Sequence, residues 1–368
     1  MTAYKPTVVQ LSLAASLTLT ACGSPMSAYT GRDPAMAYVP IARAGITDAR
    51  PEFRTVFCQV VAGNPPDSQQ ACDYWLRRLD DEAIAIPDGT PNALHTAPRP
   101  RQFDLLIVSG VFAECLPDVP AFDDAVERLR HLGYMIDRIP VKGRASAAYN
   151  ADIIKAYIDG LRASGRTKKT IVLAYSKGAV DMLTALDRHP DLSANIGAIV
   201  SFAGAVNGSP LADQYRGLYE SLFASIPYRN CPVTDGGEMA SLSREHRLNW
   251  MASRPVFASP ALFSIVATPT PDRISTALVP MHAALSKIDP RNDGQILHYD
   301  AMLPGATLLG YVNADHFAIA LPFEQRSPRL ARTLIDKNDF PRPQLVEAAV
   351  LYTEAALTAP PEQQIPHK

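Results

Sequence analysis

The chain has 368 residues, of which 47% are hydrophobic and 20% charged, and its formal net charge is −2. This length and apolar content suit one large domain with insertions, or two small domains, with enough apolar residues for a full core. Because neither sign of charge dominates, the composition argues against a nucleic-acid partner. The 32 prolines indicate long irregular connections.

Residues 1–21 are predicted to be a leader peptide rather than part of the fold. Lys5 supplies a positive start, and residues 8–19 form an apolar core too short to span a membrane stably. The leader runs into the tetrapeptide Leu-Thr-Ala-Cys, which resembles the lipobox of bacterial lipoproteins and implies that Cys22 is acylated. In the lipoprotein pattern, Gly23 after the cysteine favours the outer membrane. The alternative to a lipoprotein signal is an ordinary secretory leader. We therefore expect a protein of the bacterial cell envelope, held on the membrane by a lipid anchor.

Four further cysteines allow two disulfides in three possible pairings, since an exported protein meets an oxidising compartment. They are Cys58, Cys72, Cys115 and Cys231. We expect Cys58 to pair with Cys72 because both lie in one helical-looking segment, which leaves Cys115 with Cys231 by elimination. No Cys-x-x-Cys pair or Cys/His cluster indicates a metal site, and we predict neither a metal nor a cofactor.

The N-terminal part of the mature chain is predicted to be an addition to the main domain. Residues 22–34 are rich in Ser, Gly and Pro, which is typical of a flexible tether. Residues 35–102 are predicted to be a helical extension, broken into a hairpin at residues 63–66, followed by a proline-rich linker. The extension either packs on the main domain or helps to cover the active site, and the sequence leaves both open.

Residues 103–358 are predicted to form one domain in which strands alternate with helices. Predicted strands cover residues 104–109, 133–139, 169–174, 196–203, 261–267 and 307–312, and predicted helices cover residues 120–132, 150–161, 177–188 and 343–357. Such alternation gives an α/β fold with a mostly parallel sheet flanked by helices. It breaks at about residues 209–258, which we interpret as a helical cap over the carboxyl edge of the sheet. The alternative is extra packing that never touches substrate.

Ser176 stands where the third predicted strand turns directly into a helix. The stretch Ala-Tyr-Ser-Lys-Gly over residues 174–178 has the pattern of a nucleophile elbow, a sharp turn that exposes the serine at the carboxyl edge of a sheet. Small residues at Ala174 and Gly178 let strand and helix pass closely. The alternative is a serine that caps a helix, so the interpretation depends on an acid and a histidine that follow in this order.

A serine hydroxyl needs a histidine to take its proton and a carboxylate to orient that histidine. His316 comes just after the predicted strand at residues 307–312, at a carboxyl strand end where a catalytic base belongs. The alternative for His316 is a surface histidine paired with Asp315.

The orienting acid is expected at Asp293. This residue lies in an Asn-Asp-Gly sequence, typical of a tight turn that aims the carboxylate inward. Asp289 and Asp300 are the alternatives.

Together these motifs resemble the bacterial lipase and esterase branch of the α/β-hydrolase family, over roughly residues 104–323. The resemblance rests on the elbow, on Gly-Ser-Pro-Leu-Ala-Asp at residues 208–213, on the Asn-Asp-Gly turn and on Asp315-His316. It implies an α/β-hydrolase fold with Ser176, Asp293 and His316 as the catalytic triad.

The resemblance also implies an oxyanion hole made by two backbone N–H groups, those of Lys177 and Val111. Ser109 stands where such lipases usually have a histidine before the glycine of this loop. No aspartate follows directly after His316, so we expect no calcium at that position. The charge of Lys177 either attracts an acidic group or points to solvent.

The sequence therefore predicts a serine hydrolase that acts on a small-molecule or lipid carboxylic ester through an acyl-enzyme. The alternatives are an acyltransferase or polyester depolymerase with the same triad, or a non-catalytic envelope lipoprotein on a hydrolase scaffold.

Overall fold

The computed structural model describes residues 45–62, 68–79, 100–111, 113–214, 234–254, 257 and 259–359. The predicted leader, the tether, Cys22, Cys231, most of the proline-rich linker and the centre of the predicted cap lie outside these residues.

Eight strands of the described chain form one sheet. They are β1 (Thr47–Asp48), β2 (Leu76–Arg77), β3 (Asp104–Val108), β4 (Ile136–Arg138), β5 (Thr170–Tyr175), β6 (Ile196–Phe202), β7 (Ala261–Ala267) and β8 (Thr307–Val312). The order across the sheet is β1-β8-β7-β6-β5-β3-β4 with every neighbour parallel, and β2 pairs antiparallel with β8. The predicted mostly parallel sheet is therefore confirmed.

Helices cover both faces of this sheet. They are α1 (Arg50–Ala62), α2 (Ser68–Trp75), α3 (Asp123–His131), α4 (Ala147–Ala163), α5 (Lys177–Arg188), α6 (Pro210–Gln214), α7 (Glu238–Leu242), α8 (Arg244–Ala252), α9 (Val279–Leu285), α10 (Phe323–Arg326), α11 (Pro328–Ala331) and α12 (Arg342–Thr358). None of the helices in the described residues has both the length and the apolar content to cross a membrane.

Alternate residues of the central strands enter two separate cores. Leu105 and Ile107 of β3 join the core that α1, α3 and α12 complete, whereas Leu106 and Val108 join the core that α4 and α5 complete. All four side chains are fully buried. Because side chains alternate along a strand, a strand covered on both faces needs a continuous apolar run, and that is what the sequence has at residues 105–108.

Helix α4 begins earlier than the sequence predicts. Ser146 is its N-cap, since its hydroxyl accepts a hydrogen bond from the backbone N–H of Tyr149 at 3.1 Å. Asn150, where the predicted helix begins and which is predicted to cap it, is instead buried inside the helix. Its amide bonds to the backbone of Lys142 and to the carboxylate of Asp181. Serine and asparagine cap helices about equally well, so the sequence pattern alone did not separate them.

The N-terminal segment packs on the sheet rather than forming a separate unit. β1 and β2 both pair with β8, and α1 packs against α12. A disulfide joins Cys58 of α1 to Cys72 of α2. Cys115 is also disulfide-bonded, whereas its expected partner lies outside the described residues. β1 and β2 were not predicted, because a strand of two residues is too short to show the alternating pattern of apolar and polar residues.

Candidate active site

Ser176 occupies a strained turn between β5 and α5. Its backbone has φ +54° and ψ −122°, a combination that residues with a side chain rarely adopt. Its N–H donates to the carbonyl oxygen of Phe202, and its own carbonyl accepts from the N–H groups of Ala179 and Ala205, each at 3.1 Å. These bonds to β6, to the loop after β6 and within α5 hold the backbone of the turn in place.

Two glycines allow backbone to pass close to this turn. A Cβ on Gly178 would lie 2.4 Å from the carbonyl oxygen of Val108 and 2.8 Å from that of Ser109. A Cβ on Gly110 would lie 2.9 Å from the Cβ of Ser176. The end of β3 and the loop after it therefore touch both the first turn of α5 and the serine itself.

The structure brings together the three side chains predicted as a triad. His316 Nε2 lies 2.9 Å from Ser176 Oγ, and His316 Nδ1 lies 2.7 Å from Asp293 Oδ2. All three residues are buried, with 7%, 5% and 1% exposed for the serine, histidine and aspartate. The second carboxylate oxygen of Asp293 accepts the backbone N–H groups of Gln295 and Ile296 at 2.8 and 2.7 Å.

The turn that carries Asp293 is bonded directly to the loop that carries His316. Gly294 takes φ +87°, and its N–H donates to the side chain of Asn292 at 3.0 Å, which closes the Asn-Asp-Gly turn. The N–H of His316 donates to the carbonyl of Asp293 at 3.0 Å, and the hydroxyl of Tyr175 donates to the carbonyl of His316 at 2.8 Å. The backbone of His316 is therefore held from both sides.

The alternative acids make other contacts. Asp289 pairs with the guanidinium of Arg291 at 3.0 Å. Asp300 is fully buried and pairs with Arg244 at 2.7 Å; burial raises the pKa of Asp300 to about 7, an effect that Arg244 partly offsets. Neither carboxylate contacts the ring nitrogen of His316 that Asp293 holds.

Asp315 is not the partner of His316 either. Its carboxylate accepts the backbone N–H groups of Ser275, Phe317 and Ala318, at distances of 2.8 to 3.0 Å. Burial raises the pKa of Asp315, and its hydrogen bonds to Ser275 and Ala318 lower it in part. The residue thus fixes the loop on which His316 lies.

Both predicted oxyanion donors belong to residues beside Ser176. Lys177 is the first residue of α5, and the N–H groups of a first helical turn have no acceptor within the helix. Val111 lines the same cavity as Ser176, with Ser109 and Gly110. One predicted donor therefore directly follows Ser176 in the chain, and the other lines the cavity at which Ser176 lies.

The side chain of Lys177 does not reach solvent, so the alternative in which its charge points to solvent is wrong. It is fully buried, with Nζ 2.7 Å from Asp181 Oδ1 one helical turn later. Asn150 donates to the other oxygen of Asp181 at 2.7 Å. Burial raises the pKa of Asp181, whereas the ammonium group of Lys177 lowers it.

A cavity of about 330 Å³ opens at Ser176. One wall comes from the predicted cap and includes Leu211, Ala212, Met239 and Leu242. The opposite wall includes Leu116, Val119, Phe317, Phe323, Leu330 and Ile335. The described part of the cap therefore contacts the site. Among the described lining residues, His316 is the only ionisable one of the types Asp, Glu, Lys, Arg and His.

Sequence reasoning missed several supports of this site. In the sequence Tyr175 is only a variable position of the elbow pattern, and its support of His316 is shown by its hydroxyl bond to that residue. Asp181 was detectable, because it lies four residues after Lys177 and such pairs face each other on a helix. The wall formed by α10 and α11 left no sequence signal, since each of these helices has only four residues.

Comparison with known proteins shows a strong similarity to a solved esterase structure. No protein-family model and no curated protein matches the chain. Among solved structures, the metagenomic carboxyl esterase MGS0156 is 35% identical, with 86% of this chain and 95% of that chain covered and a TM-score of 0.76. The mature lipase BlEst2 of Bacillus licheniformis is 21% identical, with 60% of this chain and 87% of that chain covered and a TM-score of 0.48. Lipase 1 of Pelosinus fermentans is 13% identical, with 59% and 93% covered and a TM-score of 0.45.

The first of these similarities decides the family. It extends over nearly the whole length of a carboxyl esterase, and the sheet order and elbow described above are those of the fold that the sequence predicts. The chain belongs to the α/β-hydrolase family of carboxyl esterases.

Proposed function

We propose that the protein hydrolyses carboxylic esters with Ser176 as the nucleophile, His316 as the proton carrier and Asp293 as the orienting carboxylate. The observation that supports this most directly is the position of the His316 ring, 2.9 Å from Ser176 Oγ and 2.7 Å from Asp293 Oδ2. The solved relative at 35% identity is itself a carboxyl esterase.

In the acylation half of the reaction, Ser176 Oγ attacks the ester carbon while its proton moves to His316 Nε2. The carbonyl π bond becomes the oxyanion, which the N–H groups of Lys177 and Val111 stabilise. When the tetrahedral intermediate collapses, the bond to the alcohol oxygen breaks and His316 gives its proton to that oxygen. The acyl group remains on Ser176.

In the deacylation half, a water molecule takes the place of the alcohol. As the water oxygen bonds to the acyl carbon, His316 accepts a proton from the water and the carbonyl π electrons again become an oxyanion. When this second intermediate collapses, the bond between the acyl carbon and Ser176 Oγ breaks, His316 gives its proton to Oγ, and the carboxylic acid leaves. Asp293 accepts a hydrogen bond from His316 Nδ1–H throughout, which leaves Nε2 as the acceptor facing the serine. Because the backbone N–H groups of Gln295 and Ile296 hold the other oxygen of Asp293, the carboxylate keeps this orientation.

The cavity favours an uncharged, largely apolar ester. Its described walls consist mainly of aliphatic and aromatic side chains, with no carboxylate, ammonium or guanidinium group. A charged substrate would lose its hydration there without gaining an ion pair, which costs several kcal/mol. An acyl chain or an apolar alcohol group meets no such cost.

The place of action that we propose is the bacterial cell envelope, with acyl chains on Cys22 that hold the enzyme on the outer membrane. The proposal is supported by the lipobox-like sequence before this residue. Replacing Cys22→Ser should move the protein from the membrane fraction to the soluble fraction. An unchanged distribution would contradict the anchor and leave the proposed chemistry intact.

The chemistry is tested by replacing Ser176→Ala. We expect hydrolysis of p-nitrophenyl butyrate to fall by roughly 10³-fold or more, and labelling by a fluorophosphonate to be lost. The matched control is Ser253→Ala, an exposed serine at the end of α8. Full turnover in Ser176→Ala would overturn the proposal. Adding an alcohol acceptor to the wild-type assay distinguishes hydrolysis from acyl transfer by the product that forms.

A further inference from the structure

The segment after Val111 is held by a carboxylate as well as by the disulfide of Cys115. Glu114 lies three residues after Val111, in a short turn that covers Ala113–Cys115. One oxygen of Glu114 accepts the backbone N–H of Gly143 at 2.6 Å, and the other accepts that of Arg144 at 3.1 Å. Hydrogen bonds to an ionised carboxylate are shorter and stronger than neutral ones. Glu114 thus ties the loop after β3 to the loop between β4 and α4.

The loop between β4 and α4 is bonded in turn to the cap. The N–H and hydroxyl of Ser146 donate to the carboxylate of Asp235 at 2.7 and 2.6 Å. The N–H of Ala147 donates to the hydroxyl of Ser241 at 2.8 Å. Two further bonds join the same segments, from Thr234 N to Arg144 O and from Arg144 Nε to Glu238 Oε1, each at 3.3 Å.

These contacts form a continuous path from the cavity wall to the oxyanion hole. Met239 and Leu242 of α7 line the cavity, and α7 also carries Ser241, which bonds to the β4–α4 loop. That loop holds Glu114, and Glu114 holds the segment that contains Val111. Beyond the end of β3 this segment no longer has a strand partner to fix it.

We propose that Glu114 is a positioning residue for the oxyanion hole. Its carboxylate holds the backbone N–H of Val111 at the place where the negative oxygen develops, and it couples that place to the cap. The inference rests on the proposed function, since it assigns a support to the same site. An oxyanion donor must be placed within a few tenths of an ångström to act, because its effect depends on a short hydrogen bond in the transition state.

The test is Glu114→Gln, which keeps the length and shape of the side chain. Glutamine has one oxygen acceptor, and its NH₂ group would face the second backbone N–H, donor against donor. We expect kcat to fall by about 10- to 100-fold with KM within twofold, since loss of a whole oxyanion donor costs about 10²- to 10³-fold. The matched control is Glu127→Gln, an exposed glutamate on α3, which should behave as wild type.

A trifluoromethyl ketone provides the readout that a general structural effect would not give. Ser176 Oγ bonds to its carbonyl carbon, the π electrons become an oxyanion, and the serine proton moves to His316. Its affinity for Glu114→Gln should fall by about the same factor as kcat. The corresponding ether fills the cavity but has no carbonyl and forms no oxyanion. Its affinity for Glu114→Gln should equal its affinity for the wild type.

Equal loss of affinity for both inhibitors would overturn the proposal, as would unchanged kcat and unchanged ketone affinity. Should Glu114→Gln fail to fold, Glu114→Asp serves instead. Its carboxylate is one methylene shorter, and we expect the same selective loss of ketone affinity. Wild-type turnover and its loss in Ser176→Ala are measured first, so a failure of the proposed function is recognised before Glu114 is tested.

Discussion

The hydroxyl of Tyr175 donates a hydrogen bond of 2.8 Å to the carbonyl oxygen of His316, and the two rings lie 5.3 Å apart between centroids. The residue before the proposed nucleophile therefore supports the backbone of the proposed base. A shift of the strand that carries Ser176 is transmitted to His316 through this bond.

Replacing Tyr175→Phe should lower kcat by about tenfold with little change in KM. The change leaves the buried carbonyl of His316 without this donor, which costs about 1–3 kcal/mol and lets the ring move away from Ser176. Steady-state kinetics with p-nitrophenyl butyrate measure the effect, with Tyr149→Phe at an exposed position of α4 as the control. Wild-type kcat in Tyr175→Phe would contradict the supporting role.

Replacing Asp293→Asn should lower kcat by roughly 10³- to 10⁴-fold while the protein stays folded. Asparagine can keep its oxygen toward the N–H groups of Gln295 and Ile296, so its NH₂ group then faces His316 Nδ1. That nitrogen must become an acceptor, which places the hydrogen on Nε2 and removes the base that faces Ser176. Kinetics at several pH values measure the loss. A decrease of less than tenfold would mean that another carboxylate orients the histidine.

Replacing Lys177→Met should destabilise the protein by about 3–5 kcal/mol, because it leaves the carboxylate of Asp181 buried without its cation. Urea unfolding measures the change. The double replacement Lys177→Met with Asp181→Leu removes both charges and should recover most of that loss. If the double variant is less stable than the single one, the ion pair is not the source of the destabilisation.

Asp300 should make stability fall as the pH rises from about 4 to 7. Burial raises its pKa from 3.8 in the unfolded chain to about 7 in the folded one, so the folded state binds more protons in this range. Its contribution is complete below about pH 4 and is lost as the pH rises through 7. Between pH 5 and pH 8 the free energy of unfolding of the wild type should fall by roughly 2–3 kcal/mol relative to that of Asp300→Asn, which cannot ionise at this position.

Urea unfolding at both pH values measures this difference, with Asp118→Asn at an exposed position as the control. A constant offset between the two free energies of unfolding would show that Asp300 remains ionised throughout this range.

The parts of the site that the sequence predicted are those with a local pattern. The strand-to-helix junction at Ser176, the Asn-Asp-Gly turn at Asp293 and the strand end before His316 each lie within a few residues. Their order along the chain fits a known arrangement, and the structure brings the three side chains within hydrogen-bond distance.

The supports of the site had no such pattern. Glu114 binds the backbone of residues 143 and 144, and backbone acceptors of this kind look alike at every position in a sequence. The start of α4 had two suitable caps within five residues, and a choice between Ser146 and Asn150 needed the position of Asp181. Long-range contacts, rather than local propensity, decided both cases.

Without the segment that precedes the main domain, β8 would be an exposed edge strand of the sheet. β1 covers it at Thr307 and Leu308, and β2 covers it at Tyr311 and Val312. An enzyme trimmed to begin at residue 103, where the sequence suggests a domain boundary, would present a row of unpaired amides and carbonyls to other copies of itself. β1, with two residues, is too short to recruit another chain in this way. The N-terminal segment therefore covers this edge of the sheet, and we expect versions of the enzyme that lack it to aggregate.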